Sequence, residues 1–148
     1  MTIRSFVPAR RLDAWRKALA LRYAVFVVEQ GVPDGEEVDR HDVHDRTCVH
    51  VLAEAGGEAV GTGRLYEDRP GLGKIGRIAV AADRRCSGIG TAILEALIKE
   101  ARQRGLEAVC LDAQVEATGF YSRHGFEPEG ASFVDCGLPH QRMRRVLM

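Results

Sequence analysis

Apolar residues at Leu12, Trp15, Leu19 and Phe26 keep helical spacing, so a helix is predicted from about Leu12 to Val27, ended by Gly31 and Pro33. The acidic stretch from Pro33 to Arg46 has no such period and reads as a loop. From Cys48 to Glu54 the period changes to alternation, with Val49, Val51 and Ala53 on one side, which predicts a strand. Gly56-Gly57 is a hairpin turn into a second strand, Ala59 to Tyr66, and Arg69-Pro70-Gly71 turns the chain into a third, Lys74 to Val80. A longer helix is predicted from Ser87 to Arg104, with Ile89, Ala92, Ile93, Ala96, Leu97 and Ala101 on its apolar face and Gly105 stopping it. Then come a strand from Ala108 to Ala113, a short helix over about 115–124, and two terminal strands. No linker, repeat or low-complexity segment interrupts the series, so residues 1–148 read as one α+β domain, a mixed, mostly antiparallel sheet flanked by helices.

The junction between the third strand and the long helix carries candidate chemistry. Ile78, Ala79 and Val80 lead through Arg85-Cys86-Ser87-Gly88-Ile89-Gly90-Thr91 into the helix. The first turn of a helix has N–H groups without intrahelical acceptors, and with the macrodipole they present positive charge to an anion. Gly88 and Gly90 allow close approach of a phosphorylated ligand, Arg85 offers a bidentate fork, and Ser87 and Thr91 offer hydroxyls. A P-loop is excluded because Thr91-Ala92 stands where Lys and Ser or Thr are needed. A dinucleotide fingerprint is excluded because no third glycine follows Gly90 at the required spacing. The bland alternative is a helix with a glycine-rich start and no ligand.

Arg85-x-x-Gly88-x-Gly90 resembles the R/Q-x-x-G-x-G/A signature of the GNAT acetyltransferase superfamily. The stretch from Gln114 to Phe126 is similar to the superfamily's closing motif, with Ala117, Phe120, Tyr121, Gly125 and Phe126 at matching spacings and Gln114 in the usual Asn place. Two further segments resemble the ElaA/YjcF-like branch: Leu21 to Pro33 with its acidic follow-on Glu36-Glu37-Val38-Asp39, and Asp135-Cys-Gly-Leu-Pro-His-Gln-Arg-Met143.

The resemblance implies a six- to seven-stranded sheet with a V-shaped split between the two central strands, here 74–80 and 108–113. It implies acetyl-CoA as cosubstrate, its diphosphate on residues 85–91 and its pantetheine arm along Ile78, Ala79 and Val80, with contacts from Gln114 and Phe120. It also implies transfer of the acetyl group to a primary amine of a small molecule or peptide by direct attack in a ternary complex, with Tyr121 as acid to the departing thiolate and a main-chain N–H near Val80 stabilising the oxyanion. Tyr121 packed merely at a helix end is the structural alternative. Glu29, Asp112 and His140 are candidate bases, and Glu29 and His140 are also candidates for holding the acceptor. His140, following Pro139, can equally be a turn histidine with a backbone partner. An acyl-CoA-binding regulatory module without turnover is the alternative function, nucleotide hydrolysis is disfavoured by the missing Lys, and assembly as a homodimer is left open.

Composition narrows the partners. Lys plus Arg and Asp plus Glu both number 21, so the net charge is zero and long-range attraction to nucleic acid or an anionic membrane is not expected. The run Arg142-Met-Arg-Arg145 reads as a solvated strand end. No apolar run approaches the roughly 20 residues of a membrane span, and the start lacks the apolar core of a signal peptide, so a cytoplasmic location is expected. The cysteines at 48, 86, 110 and 136 show no C-x-x-C spacing and are expected as reduced thiols. Cys110 reads as core packing, and Cys86 as packing or as a thiol activated by the helix N-terminus. Asp39-Arg-His-Asp-Val-His-Asp45 has metal-ligand residue types without the helical H-E-x-x-H frame, and no metal is expected.

Overall fold

The computed structural model describes residues 1–148. A strand that the pattern did not announce, β1 (Thr2–Phe6), opens the chain. Helix α1 (Leu12–Arg22) follows, and the predicted single helix changes there into a π-helical segment, Tyr23–Glu29. The β-branched Val25, Val27 and Val28 crowd a regular turn, and the widened turn shows in Gln30 N–H donating to the Val25 carbonyl at 3.2 Å. The stretch expected as a loop contains two single-turn helices, α2 (Asp34–Glu37) and α3 (Arg40–Val43). Asp39 caps α3 in a capping box with Asp42.

Strands β2 (Val49–Ala55), β3 (Glu58–Arg69) and β4 (Leu72–Val80) form an antiparallel meander. Helix α4 (Ile89–Gln103) crosses to β5 (Ala108–Gln114), α5 (Thr118–Arg123) follows, and β6 (Glu127–Pro128), β7 (Phe133–Asp135) and β8 (Leu138–Val146) finish the chain. The sheet has eight strands rather than six or seven, in the order β1-β2-β3-β4-β5-β8-β6 with β7 on β8. Only β4 and β5 run parallel, and they pair from Leu72↔Ala108 to Ile75↔Leu111 before parting. That parting is the V.

Alternation gives the sheet two different faces. Val49, Val51, Leu65, Ile75, Val109 and Leu111 pack under α4 in the main core with Ile93, Leu94 and Leu97. Each such side chain contributes about 1.5–3 kcal/mol on full burial. The buried stripe of α4 uses Leu94 and Ile98, whereas Ala92 and Ala96 are only half-buried. Two glycines of β3 let the helix settle this close: a Cβ on Gly61 would lie 2.6 Å from Ile89 Cγ2, and one on Gly63 2.9 Å from Ile93 Cγ2.

On the opposite face α1 lays Ala14 and Ala18 onto Phe6 and Leu52. The buried positions of α1 and its extension are Ala14, Ala18, Leu21, Arg22 and Val25, while Leu12 is 59% exposed. The contact stripe is therefore rotated from the predicted one, because small side chains permit the closer approach to the sheet. Beside a small buried apolar cluster of Leu72, Ala108 and Cys110, this face is polar farther along: His50 opposite Arg64, Tyr66 opposite Lys74, Asp112 opposite Arg142, and Gln114 opposite His140.

Candidate active site

Beyond β4 the chain makes a 3-10 turn, Ala82–Arg84, and passes through Arg85 to Gly88 into α4. Gly88 is the N-cap at φ 85°, and no side chain caps the helix. The N–H groups of Ile89, Gly90 and Thr91 thus lack intrahelical acceptors, whereas Ala92 N–H donates to the Gly88 carbonyl at 3.1 Å. A Cβ on Gly88 would meet nothing within 4 Å, and Phe120 borders Gly90 with its Cζ 3.6 Å from the Cβ position there. Space and donors for an anion coincide. Cys86 stands exposed at φ 61°, so it contributes no core packing. The Ser87 hydroxyl donates to the Arg84 carbonyl, and Thr91 Oγ1 lies 3.3 Å from His124 Nε2, so both expected hydroxyl donors have partners within the protein.

The open V lies directly behind this turn. Ala81 N–H donates to the Val60 carbonyl at 2.9 Å, so ladder alternation turns the main chain of Val80, and of Ile78 before it, away from β3 toward the gap. Ala79 packs instead among Leu21 and Val25. Opposite Thr62 and Arg64, β4 carries one extra residue, and Arg77 there takes φ 52°, a local kink just beyond the last β4–β5 pair at Ile75.

The end of the π-helical segment bridges both arms of the V. Glu29 receives a bidentate fork from Arg85 at 2.7 and 2.8 Å, and Arg85 Nε also donates to the Val80 carbonyl at 3.2 Å. The Arg85 hydrogen bonds hold the Glu29 carboxyl below its ordinary pKa. The Gln114 amide donates to Gln30 Oε1 at 2.8 Å and accepts from Gln30 Nε2 at 3.4 Å. Glu29 is thereby engaged beside the anion turn and does not line the cleft; its neighbour Gln30 does.

That cleft, about 520 Å³, has the polar sheet face as its floor, with Tyr66, Gln114, Tyr121 and His140 along it and Phe26 and Gln30 above. Tyr121 is half-buried, with Phe120 and Phe126 edge-on to its ring, and this desolvation pushes its phenol up to about 12. Asp112 sits between Lys74 at 3.0 Å and Arg142 at 2.7 Å. Burial would raise the Asp112 pKa, but hydrogen bonds from Arg142 and Lys74 outweigh it and lower it. Arg142 thus pairs with Asp112 of the floor and Arg145 Nη1 donates to the His124 carbonyl, so the terminal basic run is not simply solvated. His140 Nδ1 lies 2.8 Å from the Leu138 carbonyl, the backbone partner expected of a turn histidine, and its ring also faces the cleft.

Sequence pattern gave no notice of the buried ion cluster that roofs the cleft's closed end. Arg22, fully buried, donates to Glu37 at 2.5 Å and to both oxygens of Asp42 at 2.9 Å. Arg64 reaches Asp39 at 2.7 and 2.8 Å and Asp42 at 2.9 Å, and Arg77 donates to the Glu37 carbonyl at 3.0 Å and to Asp39 at 3.3 Å. Burial alone would raise the Asp42 pKa, but the Arg22 hydrogen bonds and the charges of Arg22 and Arg64 hold it well below the carboxylate range. Glu37 and Asp39 of the acidic follow-on are therefore paired with arginines, and Glu36 stays at the rim with the Cys136 thiol donating to it at 3.3 Å. The available signal was Arg22 inside an otherwise apolar stripe, together with the polar alternates of the central strands.

No group of three or more His, Cys, Asp or Glu side chains is arranged to hold a metal ion. His41 pairs with Asp45 at 2.8 Å and stacks flat on Tyr66 at 3.6 Å between ring centroids. No helix is long and apolar enough to cross a membrane.

Comparison with known proteins agrees with this geometry. Residues 19–147 match the family model described as an acetyltransferase (GNAT) domain. The chain is 35% identical over 140 residues to the uncharacterized N-acetyltransferase YjcF of Bacillus subtilis, covering 94% of this chain and 97% of that one. An acyl-CoA N-acyltransferase from Pseudomonas aeruginosa superposes with a TM-score of 0.86 at 30% identity, covering 97% of this chain and 98% of that one. Escherichia coli ElaA superposes with a TM-score of 0.87 at 26% identity, over 98% of this chain and 99% of that one. With an uncapped helix mouth opening onto a split sheet and relatives aligned over almost its whole length, the chain belongs to the GNAT acetyltransferase family, in its ElaA/YjcF-like branch, and is an acyltransferase.

Proposed function

We propose that the chain transfers an acetyl group from acetyl-CoA to a primary amine of a small molecule or peptide, by direct attack within a ternary complex. The observation that carries this reading is the alignment of three features: free N–H groups at the mouth of α4, the outward main chain of Val80, and the Tyr121 phenol lining the cleft behind them. The diphosphate sits on residues 85–91, with Arg85 turning from Glu29 to the phosphates. The pantetheine arm adds to β4 along Ile78, Ala79 and Val80 as an extra strand would, and Gln114 exchanges its Gln30 partner for an amide of the arm. The Val80 N–H faces the thioester oxygen, and fixed N–H dipoles in such a site stabilise the developing oxyanion.

Tyr121 supplies the proton to the departing thiolate. Its desolvated surroundings keep the phenol protonated at neutral pH, and the same surroundings make the leaving thiolate a stronger base, which matches donor to acceptor. The test is thiol release from acetyl-CoA across a panel of small and peptidic amines. Release above background with at least one amine is expected, with Tyr121→Phe lowering kcat more than acetyl-CoA affinity and Gly88→Glu abolishing that affinity in a folded protein. Tight acetyl-CoA binding without release for any amine would make the chain a binding module instead.

A further inference from the structure

We infer that His140 is the general base of the reaction, acting through Nε2 on the acceptor amine. The inference rests on the acyltransfer reading above. Nδ1 of His140 lies 2.8 Å from the carbonyl oxygen of Leu138, which can only accept, so Nδ1 carries a proton and the tautomer this contact selects has its lone pair on Nε2. The ring is half-buried, stacked at 20° on Phe133 with centroids 5.8 Å apart, and lines the cleft. Two fixed contacts thus set both its tautomer and its plane. In the β5–β8 ladder His140 is opposite Gln114, at the end of the V where β4 and β5 have already parted and Tyr121 also lines the cleft.

The competing groups are otherwise engaged or lie outside the cleft. Glu29 does not line the cleft, Asp112 lies between Lys74 and Arg142, and Glu37, Asp39 and Asp42 are bound to three arginines. His41 lies flat on Tyr66, which pairs with Lys74 at the closed end of the V, away from the parted strands. Glu36 and Asp135 are exposed at the rim.

The step balances as follows. Nε2 takes one proton from the alkylammonium acceptor, and the freed nitrogen lone pair forms the C–N bond at the thioester carbonyl. Collapse of the tetrahedral centre breaks the C–S bond, and the sulfur takes the phenolic proton of Tyr121. The nitrogen's second proton restores the phenol through solvent, and His140 passes its proton to bulk water, so amide, thiol and one proton leave.

The test uses His140→Gln and His140→Ala with whichever amine the unaltered chain acetylates. A positioned general base contributes roughly 10²- to 10⁴-fold, so both variants are expected to lose about 100-fold or more in kcat/KM while acetyl-CoA Kd stays within about twofold. Added imidazole should restore His140→Ala several-fold and leave His140→Gln, whose side chain fills the site, unchanged. The loss should also shrink for weakly basic amines that are already neutral in the assay. Loss without imidazole rescue and equal for all amines would overturn the assignment in favour of a packing role, as would a loss under threefold. If the unaltered chain releases thiol with no amine, the acyltransfer reading itself fails and the base assignment falls with it.

Discussion

Removing one carboxylate, in Asp42→Ala, tests how the buried ion cluster at the closed end of the cleft is held together. Asp42 accepts from Arg22 Nη1 and Nη2 and from Arg64 Nη1, all at 2.9 Å, and from Asp39 N–H at 3.1 Å, with its side chain fully buried. In the native cluster three arginines face three carboxylates, Glu37, Asp39 and Asp42. The substitution leaves that set with one unmatched buried positive charge. Breaking a buried ion pair from one side costs about 3–5 kcal/mol, against a total stability of about 5–15 kcal/mol for a domain. At about 2–4 °C per kcal/mol for a chain of this size, the midpoint should fall by roughly 6–20 °C. Urea denaturation followed by circular dichroism measures the loss directly, with an unchanged slope showing that the compact state is the same. Adding Arg22→Met to Asp42→Ala should recover part of it, because the unmatched cation goes too. A loss below about 1 kcal/mol, the range of an exposed pair, would refute the view that these ions depend on one another in a dry interior.

Stability should fall in acid by two routes. The Asp42 pKa is depressed in the folded state, so its contribution is complete above the unfolded carboxylate value near ~3.9 and is lost below it, at up to about 1.4 kcal/mol per pH unit; Asp42→Ala should flatten that slope. His50, 1% exposed, is pushed down to about 4, chiefly by burial. The unfolded imidazole protonates first, near ~6.5, so stability should drop by up to about 3 kcal/mol between those values. Denaturation of His50→Phe at pH 7 and 4.5 should show a shallower drop, and an unaltered drop would remove His50 from the account. Gly61→Ala sets a Cβ 2.6 Å from Ile89 Cγ2, which should cost about 1–3 kcal/mol by overpacking and weaken acetyl-CoA binding as the mouth of α4 shifts. Native stability and affinity in that variant would show that Ile89 repacks freely.

The long helix, the hairpin strands and the glycine turn were legible because each is a local property. Ile93 and Leu97 repeat at helical spacing, Val49, Val51 and Ala53 alternate, and Gly88 takes a left-handed turn whichever elements surround it. Elements with weaker local signals were misread. The strand Thr2–Phe6 mixes Ile3 and Phe6 with polar residues and is held by pairing with Val51, Ala53 and their neighbours far along the chain. The buried stripe of the first helix ran through Ala14 and Ala18 instead of Leu12 and Leu19, because distance to the sheet favoured small side chains over hydrophobic ones.

By itself, then, the sequence determined the family, the glycine turn ahead of α4 and the main strands and helices, each read from motifs or periods that span about a dozen consecutive residues or fewer. Only the tertiary structure decided which charges face a ligand and which face each other. Glu29 meets Arg85 across 56 positions, Arg22 meets Asp42 across 20, and Gln30 meets Gln114 across 84. The physical reason is that backbone periodicity is set by bonds between neighbours, whereas a charge is neutralised by whatever lies within a few ångströms, and that is known only once the chain has closed on itself.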